Sequence, residues 1–362
     1  MPNLNALARS AVECAPHDDT IAYYLTKLPP ESVEELSPYV VRRLIRMKAL
    51  DRWRLYGAFL VAVDGTGYRF FRQRHCPHCL TRKGPDRRLL YFHHVLEAKL
   101  VTASGLVLSM ATEFIENADP HAEKQDCELK AFSRLAQKLK SRFPRLRIIL
   151  LGDPLYTCQP VFDLCNKYRW HFIFTFKEGA LPALFAEFVA LRDYTPKNRL
   201  THREGRVVQH LAWVNDLQYK GHTLSAFECR EQRPDGEHYF AWISDIPVGC
   251  RSVVTLSNQG GRLRWKLENQ GFNIQKNHGY DLQHAYCSHP WAAKNLYSFL
   301  QLAHAIHQLM IQGSLLRPFD QLVGSLRNFL WQLAESFATC VIFSPLWDAR
   351  APPGIRIRLD SS

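Results

Sequence analysis

The segment from Val61 to Phe71 reads VAVDGTGYRFF, and the fold hangs on what Asp64 is doing inside it. The first half alternates apolar residues as a half-buried strand does, and Asp64 stands where that strand meets a Gly-Thr-Gly turn. Burying an unpaired carboxylate is expensive, so an aspartate there needs a partner. The pattern therefore asks whether other acidic residues converge on Asp64.

Working outward, YGAFLVAVDG leads into YRFF as a hairpin would. YFHHVLEAKLVTA and LVLSMATEFI follow, joined at Ser104-Gly105, which predicts three adjacent antiparallel strands. A helix over roughly 126–142 carries Leu129, Phe132, Leu135, Ala136 and Leu139 on one face and ends at Pro144. LRIILLGD is an apolar strand ending in a second carboxylate, Asp153. QPVFDLCNKY reads as a helix, HFIFTF as a buried strand and ALPALFAEFVALR as a helix. If the strands bearing Asp64 and Asp153 are neighbours, both carboxylates emerge at one sheet edge. That is the arrangement of a ribonuclease H-like mixed sheet flanked by helices, an α/β fold.

The division expected from these patterns is a helical segment over 1–55, the first part of the sheet domain over 56–198, a β-rich insertion over 199–255, its completion over 256–345, and a flexible Pro- and Arg-rich tail over 346–362. In the first segment ESVEELSPYVVRRLIRMKAL is helical, with Pro38 weakening its start and Arg42, Arg43, Arg46 and Lys48 making its end basic. In the insertion, VVQHLAWVN, HTLSAFEC and HYFAWISDI predict strands separate from the main sheet. From Asn258 to Asn273 a helix-compatible stretch carries Glu268, and two amphipathic helices, AAKNLYSFLQLAHAIHQLM and FDQLVGSLRNFLWQLAESFATC, come after it.

Lys and Arg number 46 against 34 Asp and Glu, a net charge of +12 over 362 residues that favours a polyanionic partner, nucleic acid before membrane. A 46% hydrophobic fraction excludes wholesale disorder, and the absence of a long apolar run argues against a membrane partner. The N-terminus lacks signal-peptide features, and the ten scattered cysteines suit a reducing cytoplasm. Phosphodiester cleavage without a covalent intermediate needs two divalent ions held by two or three carboxylates. Asp64, Asp153 and Glu268 supply these. Singly, each has a plainer role: Asp64 capping a turn, Asp153 capping the next helix, Glu268 solvated. Together, strand-end placement favours the metal centre.

VAVDGTG around Asp64, LLGDPLY around Asp153, RWKLENQGFNIQKNHGY around Glu268 and EKQDCE at 123–128 resemble the DDE transposases of bacterial insertion sequences, over residues 35–310 or so. The resemblance is to the group with a β insertion before the catalytic glutamate. It implies a Mg²⁺-dependent enzyme, with Mn²⁺ as substitute, that cuts double-stranded DNA at transposon ends and joins the freed 3′-hydroxyl to target DNA. It further implies a homodimer in the DNA complex and a cytoplasmic, nucleoid-associated location. Its members carry a Tyr, Arg, Glu and Lys signature. Arg264 and Glu268 keep the Arg-to-Glu spacing, Lys276 lies one residue further on than usual, and Gly261 stands at the tyrosine position. Arg264 and Lys276 are then expected to hold DNA phosphates. Relatives carry a longer helical region before the first aspartate than the 63 residues here, so a shortened copy is one expectation. A degenerate or domesticated DNA-binding protein and a ribonuclease H-like nuclease without strand transfer are the alternatives.

HCPHC at 75–79 pairs Cys76 with Cys79, and with one or both of His93 and His94 these could complete a tetrahedral Zn²⁺ site, the basic, turn-rich LTRKGPDRRLL loop between having the character of a zinc-pinned hairpin. Two basic groups are candidate phosphate contacts: Arg72, Arg74, Lys83, Arg87 and Arg88, and Lys138, Lys140, Arg142, Arg145 and Arg147. Trp170, Trp213, Trp242 and Trp265 are candidates to stack on an unpaired base, with core packing the competing role. Gly65 and Gly67 are expected to open the backbone to DNA and metal.

Overall fold

The computed structural model describes residues 3, 5, 11–14, 16–84, 88–117, 124–313 and 325–340. Arg87, Glu123, the start of the last predicted helix and the 346–362 tail lie outside them. The chain folds as two compact units, one of residues 51–272 and one of residues 1–50 with 273–362. The smaller unit opens with helices α1 (Asp18–Lys27), α2 (Pro30–Glu34) and α3 (Leu36–Arg46). Pro38 falls in the first turn of α3, where its missing N–H costs nothing.

The larger unit is α/β: a mixed, mostly antiparallel ten-stranded sheet with helices against it. Its elements are β1 (Phe59–Phe71), β2 (Leu80–Lys83), β3 (Leu89–Val101), β4 (Val107–Ile115), α4 (Glu128–Arg142), β5 (Ile148–Gly152), α5 (Gln159–Tyr168), β6 (His171–Thr175), α6 (Pro182–Tyr194), β7 (Arg199–Glu204), β8 (Val207–Tyr219), β9 (His222–Arg233) and β10 (Gly236–Ser244). The strand order is β2-β3-β1-β5-β6-β10-β9-β8-β7, with β4 also paired to β3. β1 and β5 run parallel, as do β5 and β6, so the Asp64 and Asp153 strands are neighbours.

Three expectations are corrected. The Gly-Thr-Gly segment is not a hairpin turn: β1 continues through it, paired residue by residue from Gly65↔Leu96 to Gly67↔His94, with an irregularity only between Gly67 and Arg69. The 13-residue β3 offers a partner along the whole length, so the ladder overrides the local turn signal. The stretch after Cys79 is not all loop, because Leu80–Lys83 pairs with the start of β3. The four strands of the insertion are not a separate sheet, since β10 pairs antiparallel with β6, Ile243 opposite Phe174. Buried β6 needs a neighbour for its outer row of amides, and β10 supplies it. The unforeseen member, β7, is the polar edge strand RLTHRE, whose composition reads as loop.

After β10 a helical run crosses one face of the sheet as Val253–Thr255, a π segment Leu256–Gly260, a 3₁₀ turn Gly261–Leu263, Arg264–Lys266 and a second π segment Leu267–Asn273. Its Val253, Leu256, Leu263, Leu267 and Phe272 share a core with Leu60 and Ala62 of β1, Ile149 and Leu151 of β5, Ile173 of β6 and Trp242 of β10. Side chains alternate along a strand, so Asp64 follows Leu60 and Ala62 onto this face. On the other face α4 packs on β3 and β4 through Ala131, Phe132, Leu135, Ala136 and Leu139. In the smaller unit, α7 (Pro290–Gln312) packs against α1, α2 and α3, and α8 (Leu326–Thr339) follows. Thus the long helix after Asn273 is grouped with the N-terminal helices, not with the sheet as the 256–345 division had it. Among the described residues no helix is long and apolar enough to cross a membrane.

Candidate active site

The pairing of β1 with β5 ends at Ala62↔Leu151, two residues before each aspartate. Asp64 and Asp153 therefore stand just past the last rung between two neighbouring parallel strands. One oxygen of each accepts a backbone N–H: Asp64 Oδ1 from Gly65 at 2.9 Å, and Asp153 Oδ1 from Leu155 at 2.9 Å. The second bond makes Asp153 the cap of the 3₁₀ turn Pro154–Tyr156. Asp153 Oδ2 makes no hydrogen bond among the described residues.

Glu268 comes from the π segment of the crossing run, exposed, and makes no hydrogen bond or ion pair among the described residues. It lines a cleft of about 660 Å³ together with Asp64, Asp153, Arg264 and Trp265. The sequence-predicted triad is thus brought to one place. Arg264 is only 9% exposed, its Nη1 lies 3.4 Å from Asp64 Oδ2, and its guanidinium lies over the Trp265 ring at 4.6 Å. Its Nε is buried without a hydrogen-bond partner among the described residues. A guanidinium desolvated this far with a donor left over is equipped to take an anionic oxygen.

Burial pushes the Asp64 carboxyl up to about 6. Arg264 opposes the shift, while Asp153 and Glu268 add to it by like-charge repulsion. Hard oxygen donors from three carboxylates, two of them with oxygens left uncommitted, fit Mg²⁺ or Mn²⁺.

Gly261 has a physical reason. An ideal Cβ there would stand 2.5 Å from Cδ1 of the Trp242 indole, so an aromatic from β10 fills the place where the resemblance puts a tyrosine. Of the four tryptophans, Trp170, Trp213 and Trp242 are core residues, whereas Trp265 is 47% exposed at the cleft. Lys276 lies, half-buried, in the turn Ile274–Asn277 of the smaller unit.

Three further residues take part to which the sequence reading assigned no role, although Glu128 closes the EKQDCE motif. Glu128, first residue of α4, is pushed up to about 7 by burial, then by the charges of Asp64 and Asp153. Its carboxyl fills the space beside Gly65, with Cδ 2.6 Å from an ideal Cβ. Gly67 is likewise covered, by the Phe70 ring, so neither glycine opens the backbone to DNA as expected. On β3, fully buried Glu97 accepts hydroxyls from Ser109 at 2.7 Å and Thr112 at 2.6 Å. Beside it Lys99, held down to about 8 by burial, sits 4.9 Å from the Phe272 ring of the crossing run. Buried charges at alternate positions of an apolar strand show in the sequence only as interruptions.

Cys76, Cys79 and His93 cluster at the far end of β1–β3: Sγ to Sγ is 3.7 Å, and His93 Nε2 lies 3.3 and 3.5 Å from the two sulfurs. A tetrahedral ion with Zn–S of about 2.3 Å and Zn–N of about 2.1 Å needs ligand separations of roughly this size. Glu116 Oε1 is 3.8 Å from His93 Nδ1, the kind of carboxylate that orients a ligating imidazole. His94 is not part of the cluster. It faces the other side of β3, its Nε2 3.7 Å from Glu128 Oε1, because consecutive strand residues point oppositely.

Among the basic candidates, Arg72, Arg74, Lys83, Arg88, Arg145 and Arg147 are exposed. Lys138 instead pairs with Glu113 at 2.8 Å, and Lys140 donates to the Pro144 and Tyr168 carbonyls, so these two have structural roles. No protein-family model matches the chain, and comparison with curated proteins finds no match.

Proposed function

We propose that this chain is a DDE transposase of ribonuclease H-like fold, acting on double-stranded DNA. The observation that carries the reading is the convergence of Asp64, Asp153 and Glu268 on one cleft beside a buried, incompletely bonded Arg264. The parallel β1–β5–β6 core with antiparallel β3 and β4 on its flank, and strands inserted between the second aspartate and the glutamate, supports the fold assignment.

In this reading Asp64, Asp153 and Glu268 hold two divalent ions. When bound, those ions supply activation of the attacking water or 3′-hydroxyl and stabilisation of the leaving oxygen. Arg264 offsets part of the burial-driven rise of the Asp64 carboxyl by its positive charge and, through guanidinium donors beyond the Nη1 that faces Asp64, orients the scissile phosphate. Trp265, exposed against the Arg264 guanidinium, offers a face on which an unstacked base can rest. The Cys76–Cys79–His93 cluster holds structural Zn²⁺ and pins the β1–β2 connection to β3.

The test is nicking of plasmid DNA carrying the sequences that flank the coding region, with Mg²⁺ or Mn²⁺. Asp64→Asn, Asp153→Asn and Glu268→Gln should each abolish it; with wild type, cleavage should leave 3′-hydroxyl ends, and strand-transfer products should appear in which those ends are joined to target phosphates, each joining releasing a target 3′-hydroxyl. Cleavage without joined products would favour a nuclease. DNA binding with no metal-supported cleavage would favour the degenerate alternative.

A further inference from the structure

We infer that Glu128 is a positioning residue that sets the spacing between Asp64 and Asp153, an inference resting on the metal-dependent reading above. The main-chain ladder between their strands ends at Ala62↔Leu151, so no backbone bond between β1 and β5 fixes the two aspartates past that point. Glu128 reaches both flanking segments. Coming from α4 on the sheet face opposite Asp64, its carboxyl occupies the volume a side chain at position 65 would take. Its Oε2 accepts from the Tyr156 hydroxyl at 3.4 Å, and its Oε1 lies 3.7 Å from His94 Nε2.

Tyr156 closes the turn that Asp153 begins, donating its N–H to the Asp153 carbonyl at 3.2 Å. Its ring is fully buried, 5.4 Å from Phe132 and 6.3 Å from Phe174. Gly152 admits that ring, since a Cβ there would stand 2.8 Å from Tyr156 Cδ2. One side chain thus connects the backbone after Asp64 to the turn after Asp153. Rotation of either segment displaces the Glu128 carboxyl from Gly65 or from Tyr156. Distance between the two aspartates is what the binding of shared divalent ions depends on.

The experiment titrates the purified full chain with Mn²⁺ by calorimetry, alongside thermal melts of each variant. Wild type should bind Mn²⁺ in a manner lost in Asp64→Asn. Glu128→Ala should melt cooperatively and weaken Mn²⁺ binding by about tenfold or more, as removal of a group that holds a ligand does. Glu128→Gln keeps the volume and an acceptor for Tyr156 and should stay within about threefold of wild type, with Tyr156→Phe between the two. Should Glu128→Ala fail to fold, the Gln and Phe variants carry the test. Unchanged affinity in Glu128→Ala and Tyr156→Phe overturns the inference while leaving the centre intact. So does Glu128→Gln binding as poorly as Ala, since the side chain would then act through its charge. Wild type that shows no Asp64-dependent Mn²⁺ binding overturns the metal-dependent reading and this role with it.

Discussion

Asp64 and Glu128 hold their protons to about pH 6 and 7, above ordinary carboxyls, because burial disfavours their charged forms and neighbouring carboxylates (Asp153 and Glu268 for Asp64, Asp64 and Asp153 for Glu128) repel them further. The folded, metal-free protein therefore binds protons that the unfolded chain has released above about pH 4. Stability should fall as pH rises from about 4 through 7, and the lost stability should return on acidification. Asp64→Asn and Glu128→Gln relieve the repulsion and should raise the melting temperature at pH 8, each by an amount worth about 1–3 kcal/mol, with the gain vanishing near pH 4. Melts of metal-free protein across pH check the sign: variants no more stable than wild type at pH 8 would mean the carboxylates are not in conflict. Saturating Mn²⁺ should close the gap, since the ions favour the ionised forms of the wild type.

At the scale of elements, the hairpin around Cys76 and Cys79 makes a separate prediction. Metal analysis of purified protein should find close to one zinc per chain, lost in Cys79→Ser and His93→Ala and kept in His94→Ala, because His94 points to the other face. Burial and the neighbouring Cys79 push the Cys76 thiol up, so zinc must displace its proton and affinity should drop as pH falls. The crossing run makes another. Gly261→Tyr inserts a ring where the Trp242 indole already sits and should destabilise the fold by about 1–3 kcal/mol. Combining it with Trp242→Ala should recover part of that loss, measured by denaturant titration. Other elements show where sequence patterns serve well. The boundaries of α5 coincide with QPVFDLCNKY, and β5 and β6 fall on the all-apolar runs, because burial on both sides leaves one outcome. The Gly-Thr-Gly segment misleads because turn propensity is local, whereas its β3 partners, from His94 opposite Gly67 to Leu96 opposite Gly65, lie 27 or more residues away in the sequence and offer a ladder throughout.

For the whole molecule, an excess of 12 positive charges predicts DNA binding whose affinity falls steeply with salt. Replacing an exposed arginine such as Arg74 or Arg147 should lower the salt slope by about one for each phosphate that the arginine neutralises. Lys138→Ala should leave the slope unchanged and lower stability, because that lysine is already engaged with Glu113. Equilibrium binding at several salt concentrations separates the two classes.

The sequence alone determined the class of fold, the two aspartates at strand ends, the acidic residue on a later helical run and the Cys-x-x-Cys pair; that the two strands are neighbours is a matter of tertiary pairing. Each follows from periodicity and residue chemistry, which act over a few residues and are written along the chain. Tertiary structure alone decided that β1 runs straight through its glycines, that the inserted strands extend the same sheet through β10, and that His93 rather than His94 joins the cysteines. It also decided that Glu128 fills the space beside Gly65 and that Trp242 takes up the room at Gly261. These are matters of which surfaces meet, set by strand pairing and by the volume left between packed elements. Such facts have no local period or spacing through which a sequence could express them.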